Sequence, residues 1–370
     1  MKNNSSSSAI SLEAISLMNY GKSNTVFSKQ QIALLLIFIF AFSGNMILAY
    51  TLLRMKRKQK KLIDNLTLHL AMMDLLLVLF SIPEMLITEA FSGFMLGWVG
   101  CKTIHPLSTF AATASALTLL GIAFERYRVL QNQMMIDPKL QRHLLIIAID
   151  AASAVIVLPY AFTLTYIPKT VNKSGDSFIS IQGSTCVESW SIASRKTYTL
   201  TLFLSQYAMP AICMIWCYYI GWRNIWSSTR HLISNSVTGK MSRASSSLYS
   251  FRKISKRYSK ADLKKEPQSK ALLCRHLQCK KMTKKFTLIL MVFLIFALPN
   301  QVLWVYMDFF ASGSGEIDGT IVNISYMLTF ANCFLNPLIY GQGVLRRNKN
   351  NNRIKRMKNF KMDRNGLNAA

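Results

Sequence analysis

Seven apolar runs punctuate the chain, at residues 31–53, 62–86, 103–127, 144–166, 198–222, 286–309 and 321–340. Each approaches the roughly 20 residues that a helix needs to cross a hydrocarbon core about 30 Å thick. The segments between them are polar, so the pattern predicts an all-α membrane protein, a seven-transmembrane helix bundle. It divides into a tail at 1–30, a membrane domain at 31–345 with one long polar loop at 223–285, and a basic tail at 346–370.

Charge gives the bundle a direction. Of the 44 Lys and Arg residues, 6 lie at 54–61, 4 at 126–142, 17 at 223–285 and 9 after Tyr340, against 8 in all the segments of the opposite side. Basic loops stay cytoplasmic, which predicts an outer N-terminus and a cytoplasmic C-terminus. The net charge of +28 is thereby explained without nucleic acid, since a basic soluble protein would not also carry seven apolar helices. The basic loops suit anionic membrane lipids instead, at about 1 kcal/mol per basic residue near the surface. Residues 1–30 contain no apolar core of signal-peptide length, so the first helix is expected to direct its own insertion. Asn3, Asn4 and Asn172 begin Asn-x-Ser glycosylation sequons on the predicted outer side. Asn323 begins a fourth, close against the seventh helix.

The seven cysteines sort by compartment. Only Cys101 and Cys186 fall outside, where an oxidising exterior offers them a single pairing. Cys213, Cys217 and Cys333 lie within helices and read as small apolar packers. Cys274 and Cys279 flank His276, but three ligands without a fourth do not make a zinc site. The loop at 223–285 is rich in Ser, Lys and Arg, the composition of a disordered segment, and its ends are expected to extend the fifth and sixth helices. Its serines are candidates for phosphorylation.

Few ionisable groups lie inside the helices, and each is a functional hypothesis. Asp74 comes 12 residues into the second run, about 18 Å along a helix rising 1.5 Å per residue. A carboxylate at that depth needs partners. Ser115, Asn332 and Asn336 sit at matching depths, and this oxygen set suits a sodium ion; the alternative is a protonated Asp74 in a hydrogen-bond network. No other cofactor is expected. Glu125-Arg126-Tyr127 ends the third run at the cytoplasmic edge, and the Pro of Asn336-Pro337-Leu338-Ile339-Tyr340 kinks the seventh.

Taken together, these features resemble the rhodopsin-like (class A) G-protein-coupled receptors, most closely the neuropeptide-type members. The resemblance runs from Gly44-Asn45 through Leu70-Ala71-Met72-Met73-Asp74, Trp98, Cys101 with Cys186, Glu125-Arg126-Tyr127, Pro159, Pro210, Tyr218, Phe293 and Pro299 to Asn336-Pro337-x-x-Tyr340. It implies a plasma-membrane receptor, not an enzyme. An outer ligand would favour outward movement of the sixth helix, opening a cleft for a heterotrimeric G protein. Glu125, Arg126, Tyr127, Tyr218, Asn336, Pro337 and Tyr340 would serve coupling and activation, and Asp74 would hold sodium in the closed state.

Three departures stand out. Ala297 replaces the Trp that the family usually carries two residues before the sixth-helix Pro. Ile149-Asp150 stands where the fourth helix usually has Trp, and Asp150 has no partner legible in sequence. Lys280-Lys281-Met282-Thr283-Lys284-Lys285 stands where many members place an acid that restrains Arg126, which predicts ligand-independent activity. For the ligand, Ser108 replaces the Asp of amine receptors and Phe330 the Lys that retinal binding needs. A peptide fits better, because residues 167–194 are long enough for a hairpin over the pocket mouth. Candidate contacts are Glu84, His105, Ser108, Gln206, Asn300, Gln301, Trp304 and Tyr326, with Glu84 suited to a basic or N-terminal group or else to an internal pair with His105 or Lys102. A receptor for a lipid or other small molecule, and a receptor-like protein that does not drive G proteins, are the alternatives.

Overall fold

The computed structural model describes residues 28–55, 62–91, 93–130, 138–168, 170–174, 178–182, 184–237, 267–310 and 319–341, with side chains at 129–130, 138–142, 170–174, 178–182, 224–237 and 267–286 outside that description. Helices α1 (Lys29–Arg54), α2 (Leu62–Ala90), α3 (Gly97–Leu130) and α4 (Pro138–Thr163) precede four strands: β1 (Leu164–Ile167), β2 (Thr170–Ser174), β3 (Phe178–Gln182) and β4 (Thr185–Glu188). Helix α5 runs as Ile192–Phe203, a π-helical turn Leu204–Ala208, then Met209–Val237; α6 is Pro267–Phe309 and α7 spans residues 319–341. Asn3, Asn4, the middle of the 223–285 loop and the tail at 346–370 lie outside the described residues, as do the side chains of Asn172, Cys274, His276, Cys279 and Lys280–Lys285.

Large apolar side chains face outward as well as inward, and a set of polar groups is buried between the helices. Phe162, Val155 and Ile212 are 75%, 71% and 67% exposed, whereas Asn45, Asp74, Thr113 and Thr118 are fully buried. Six of the helices are long and apolar enough to cross a membrane, and α7 completes the bundle by packing Phe330 and Cys333 against Leu34 and Ala41 of α1 and Val78 and Ile82 of α2. Hydrocarbon offers no partner to a hydroxyl, so serines and threonines donate back into their own helices. Ser43 bonds the Ile39 carbonyl at 2.6 Å, Thr118 that of Ala114 at 2.6 Å and Ser153 that of Ile149 at 2.8 Å. Helix α1 begins with a capping box, in which Ser28 Oγ accepts from Gln31 N and Gln31 Oε1 accepts from Ser28 N. At Gly44, an added Cβ would lie 3.0 Å from Pro337 Cγ, so a larger residue would require the kink of α7 to give way by a few tenths of an ångström.

The fourth helix ends earlier than the hydrophobic run implies. Thr163 is its last residue, and Leu164–Tyr166, read above as the end of the helical run, join Ile167 in a strand paired antiparallel with Thr185–Glu188, Tyr166 opposite Cys186. The β-branched Thr165 and Ile167 suit a strand, and the tertiary pairing outweighs the apolar continuity. Strands β2 and β3 form a second hairpin in register Thr170↔Gln182. The Cys101–Cys186 disulfide fastens β4 to the top of α3. Ser184 Oγ donates to the Phe94 carbonyl at 2.6 Å, and Ser189 N to that of Thr163 at 2.9 Å. Helix α6 starts at Pro267, 19 residues before the apolar run, as expected if the loop's end extends it.

Asp150 finds its partner on α2. His69 Nε2 meets Asp150 Oδ1 at 2.9 Å while His69 Nδ1 meets Thr118 Oγ1 at 2.8 Å, so one imidazole ties α2, α3 and α4 together where the usual Trp is missing. Removing one member strands the other in a medium that cannot solvate it. Asp150→Leu or His69→Leu alone is expected to cost on the order of 1–3 kcal/mol. The double variant is expected to cost less than the sum of the two, as read by thermal unfolding in detergent.

Candidate functional site

Among the polar groups inside the bundle, one centre lies near its middle and another at the end opposite the hairpins. At the first, Asp74 accepts from Ser115 Oγ at 2.8 Å on one oxygen and from Asn336 Nδ2 at 2.9 Å on the other. The carboxylate therefore joins α2 to α3 and α7. Asn332 makes no hydrogen bond with Asp74, and its amide oxygen, like those of Asn45 and Asn336, has no hydrogen-bond partner among the described residues. Asn45 Nδ2 donates to the Cys333 carbonyl at 3.0 Å, adding α1 to the same layer. A carboxylate, a hydroxyl and amide oxygens are hard donors, so the residues present fit a small hard cation.

At the second centre, Arg126 on α3 lies within electrostatic reach of Tyr340, Tyr218, Glu125 and Asp64. Glu125, Tyr218 and Tyr340 are buried. Tyr127 points aside and packs on Trp216, with ring centroids 5.4 Å apart. The structure thus gathers Glu125, Arg126, Tyr218 and Tyr340, while Asn336 belongs to the Asp74 centre and Pro337 to the contact with α1. Asp64 was not singled out in sequence: it is 4% exposed on the first turn of α2. Among the described residues, an acid within electrostatic reach of Arg126 from outside its own helix therefore comes from α2.

At the hairpin end, a cavity of about 810 Å³ opens between α2, α3, α5, α6, α7 and strand β4. Glu84, His105, Ser108, Gln206, Asn300, Gln301, Trp304 and Tyr326 all line it. Ser108 accepts from Ser81 Oγ at 2.9 Å, and His105 stacks on Phe94 with centroids 5.4 Å apart. Glu84 accepts from Thr88 Oγ1 at 3.1 Å, and Lys102 donates to the Phe162 carbonyl at 3.1 Å, capping α4 and leaving Glu84 to the cavity. Asn300 accepts from Ser325 Oγ at 3.2 Å, which links α6 to α7.

The lining also holds residues that sequence reasoning passed over: Glu89, Glu188, Arg195, Thr199, Asp308 and the aromatic pair Tyr160 and Tyr198. Arg195 Nε lies 3.1 Å from Asp308 Oδ1, and Thr199 Oγ1 donates to the other oxygen, so α5 and α6 are tied at the cavity rim. Trp190, Tyr198 and Tyr160 stack in a row, at 4.9 and 5.8 Å between centroids. Four carboxylates against one guanidinium make the lining acidic. A signal was available in the charged residues at helix ends facing the hairpin, but Glu188 and Asp308 sit outside every motif, so only the fold brings them to the cavity.

Residues 44–340 match the family described as 7 transmembrane receptor (rhodopsin family). Over parts of its length the chain is similar to neuropeptide FF receptor 1 of Rattus norvegicus, 28% identical over 194 residues, covering 50% of this chain and 44% of the relative. It is similar to neuropeptide Y receptor type 5 of Sus scrofa at 28% over 180 residues, covering 48% and 39%. It is also similar to neuropeptide receptor npr-1 of Caenorhabditis elegans at 29% over 188 residues, covering 50% and 39%. The matched part spans less than half the length of these relatives.

Burial pushes the Glu188 carboxyl above the usual carboxylate range, and the charge of Asp308 adds to this, while Trp190 and Arg195 pull it back. The folded protein then holds this proton more tightly than the unfolded chain. The contribution to stability is fully present below the ordinary Glu value of about 4.3 and is lost as pH rises through the raised value. Melting temperature measured against pH is expected to fall through that window, and Glu188→Gln to flatten the slope.

Proposed function

Since the chain belongs to the rhodopsin family of seven-transmembrane receptors, multi-pass plasma-membrane proteins that are receptors and not enzymes, we propose that it is a peptide receptor that activates a heterotrimeric G protein. The observation that carries this reading is the 810 Å³ cavity under the hairpin, lined by Glu84, Glu89, Glu188 and Asp308. Its volume is within the range of about 300–1,000 Å³ typical of ligand sites, and its acidity suits a peptide with a basic side chain or free N-terminus. The relatives' names as neuropeptide receptors agree with it. The excess of Lys and Arg in alternate loops supports an outward-facing cavity and a cytoplasmic Arg126 centre.

In this reading, peptide binding favours the state in which α6 moves away from α3 at the cytoplasmic end. The Arg126 guanidinium then exchanges its bundle partners for the G protein, with Tyr218 and Tyr340 beside it. The coupling is reciprocal, so a bound G protein tightens peptide binding. Asp74, Ser115, Asn336 and Asn332 would hold a sodium ion in the closed state, supplying the positive charge that the carboxylate lacks. The basic cytoplasmic segments would sit against anionic lipid, and the serines of the 223–285 loop would receive the phosphates that recruit arrestin.

Cells expressing the chain are expected to show ligand-free G-protein activation that falls several-fold in Arg126→Ala at equal surface level; equal signals from both would remove the coupling assignment. A panel of synthetic basic peptides is expected to raise the signal, with Glu84→Gln raising the peptide concentration required about ten-fold or more, the cost of roughly 1.4 kcal/mol at a charged hydrogen bond. Responses to a lipid extract and to none of the peptides would overturn the peptide assignment.

A further inference from the structure

At the floor of the cavity a string of side-chain hydrogen bonds crosses three helices. Gln301 on α6 donates through Nε2 to Gln206 Oε1 on α5 at 3.0 Å, and Gln206 Nε2 donates to Thr113 Oγ1 on α3 at 2.9 Å. Thr113 is fully buried and donates in turn to the Thr109 carbonyl at 2.8 Å, so the string ends in the α3 backbone. Gln206 uses both ends of its amide, one as acceptor and one as donor. The bonds of the string are therefore coupled, because turning the Gln206 amide to suit one neighbour breaks its bond to the other.

The element that aims Gln206 is the π-helical turn Leu204–Ala208, in which Met209 N–H bonds the Leu204 carbonyl five residues back. A π turn adds one residue to the helix locally, and such turns are frequent at functional positions. The next residue in the same turn, Tyr207, donates to the Leu294 carbonyl of α6 at 3.2 Å and stacks on Phe293, with centroids 5.8 Å apart. Two adjacent residues of α5 thus grip α6 on either side of Pro299, Gln206 above it at Gln301 and Tyr207 below it at Leu294. Pro299 removes one backbone hydrogen bond and is the point at which α6 bends most readily. Ala297, in the gap between these two grips, is too small to report on the cavity.

We propose that Thr113, Gln206 and Gln301 form the latch that holds α6 closed and senses cavity occupancy, doing by a hydrogen-bond string what no large side chain at Ala297 can do. The inference rests on the reading above that α6 opens. Gln206 and Gln301 both line the cavity, so a ligand amide or hydroxyl placed there competes for the same donor and acceptor. Once the Gln301–Gln206 bond is exchanged for one to ligand, the segment of α6 above Pro299 is free to rotate against α5, and the Tyr207 grip below becomes the pivot. Gln206, Gln301 and Thr113 are positioning residues: they set the closed-to-open ratio and do not meet the G protein.

The test is a distance measurement on the full chain in lipid nanodiscs, with spin labels on ketone-bearing residues replacing Arg54, the last residue of α1, and Thr287, where the membrane-crossing stretch of α6 begins. Gln206→Leu and Gln301→Leu are each expected to raise the population at the longer distance about five-fold, the effect of one net hydrogen bond. The double variant is expected to match either single variant, because one string is broken once. Thr113→Val, which keeps the volume and removes the hydroxyl, is expected to do the same and guards against misfolding of the leucine variants. Ser205→Ala, whose hydroxyl bonds its own helix at the Thr201 and Leu202 carbonyls, is expected to leave the distribution unchanged. Distances equal to wild type in all three string variants, or effects that add in the double variant, would overturn the latch. Adding nucleotide-free G protein to the wild type separates the two ideas: widening there with no response to the string variants defeats the latch alone, and no widening anywhere defeats the opening of α6 as well.

Discussion

A polar group inside this bundle has no water to fall back on, and that constraint arranges most of what has been described. Asp74 is tolerable at its depth because Ser115 and Asn336 each donate to one of its oxygens, and in meeting that need α2 becomes fastened to α3 and α7. The same logic turns hydroxyls back onto their own helices and sets His69 between Thr118 and Asp150. In a soluble protein such groups could trade a protein partner for solvent at little cost; here the trade is only with one another. Polar side chains consequently act as the register marks of the bundle, and the apolar ones, free to face lipid or each other, mostly fill space.

The two ends of the molecule use this constraint differently. At the hairpin end the cavity accumulates charge that the described residues only partly neutralise: Arg195 answers Asp308, while Glu84 has only the Thr88 hydroxyl. At the opposite end Arg126 has more than one acidic or phenolic neighbour within reach. One end is short of positive charge and the other offers the Arg126 guanidinium several places to rest. Between them, the Asp74 layer, the His69 tie and the amide string at Gln206 are among the polar links that cross from one helix to the next, and a change at one end can reach the other along them.

What could be read from sequence was what depends on long runs and on fixed spacing. Helix positions followed from hydropathy because the hydrocarbon thickness sets a minimum length, and the Cys101–Cys186 pair followed from compartment. The end of α4 was misplaced because an apolar stretch reads alike whether it continues a helix or forms a strand, and the partner of Leu164–Ile167 lies about twenty residues on. Asp150 could be flagged but not paired, since His69 is on another helix. The eight cavity candidates were found in the outer parts of the helices by residue type, yet Glu188, Arg195 and Asp308 were missed because loops and rim positions carry no periodicity. The π turn left no trace in the sequence at all: its one extra residue is visible only when the helix is traced against its neighbours.

That extra residue has a counting consequence. From the Ser191 cap to the turn, α5 is indexed to Asp308 of α6 through Arg195 and Thr199; below the turn its Ala211, Met214, Cys217 and Tyr218 are indexed to the inner bundle. The π turn is the joint between the two indexings, and it absorbs a rotation of about 100° that a regular helix would have had to pass along its whole length. A lineage of such chains can therefore exchange side chains along α5 rather freely, while gaining or losing a single residue between Ser191 and Pro210 would turn one half of the helix a quarter-circle out of step with everything it touches.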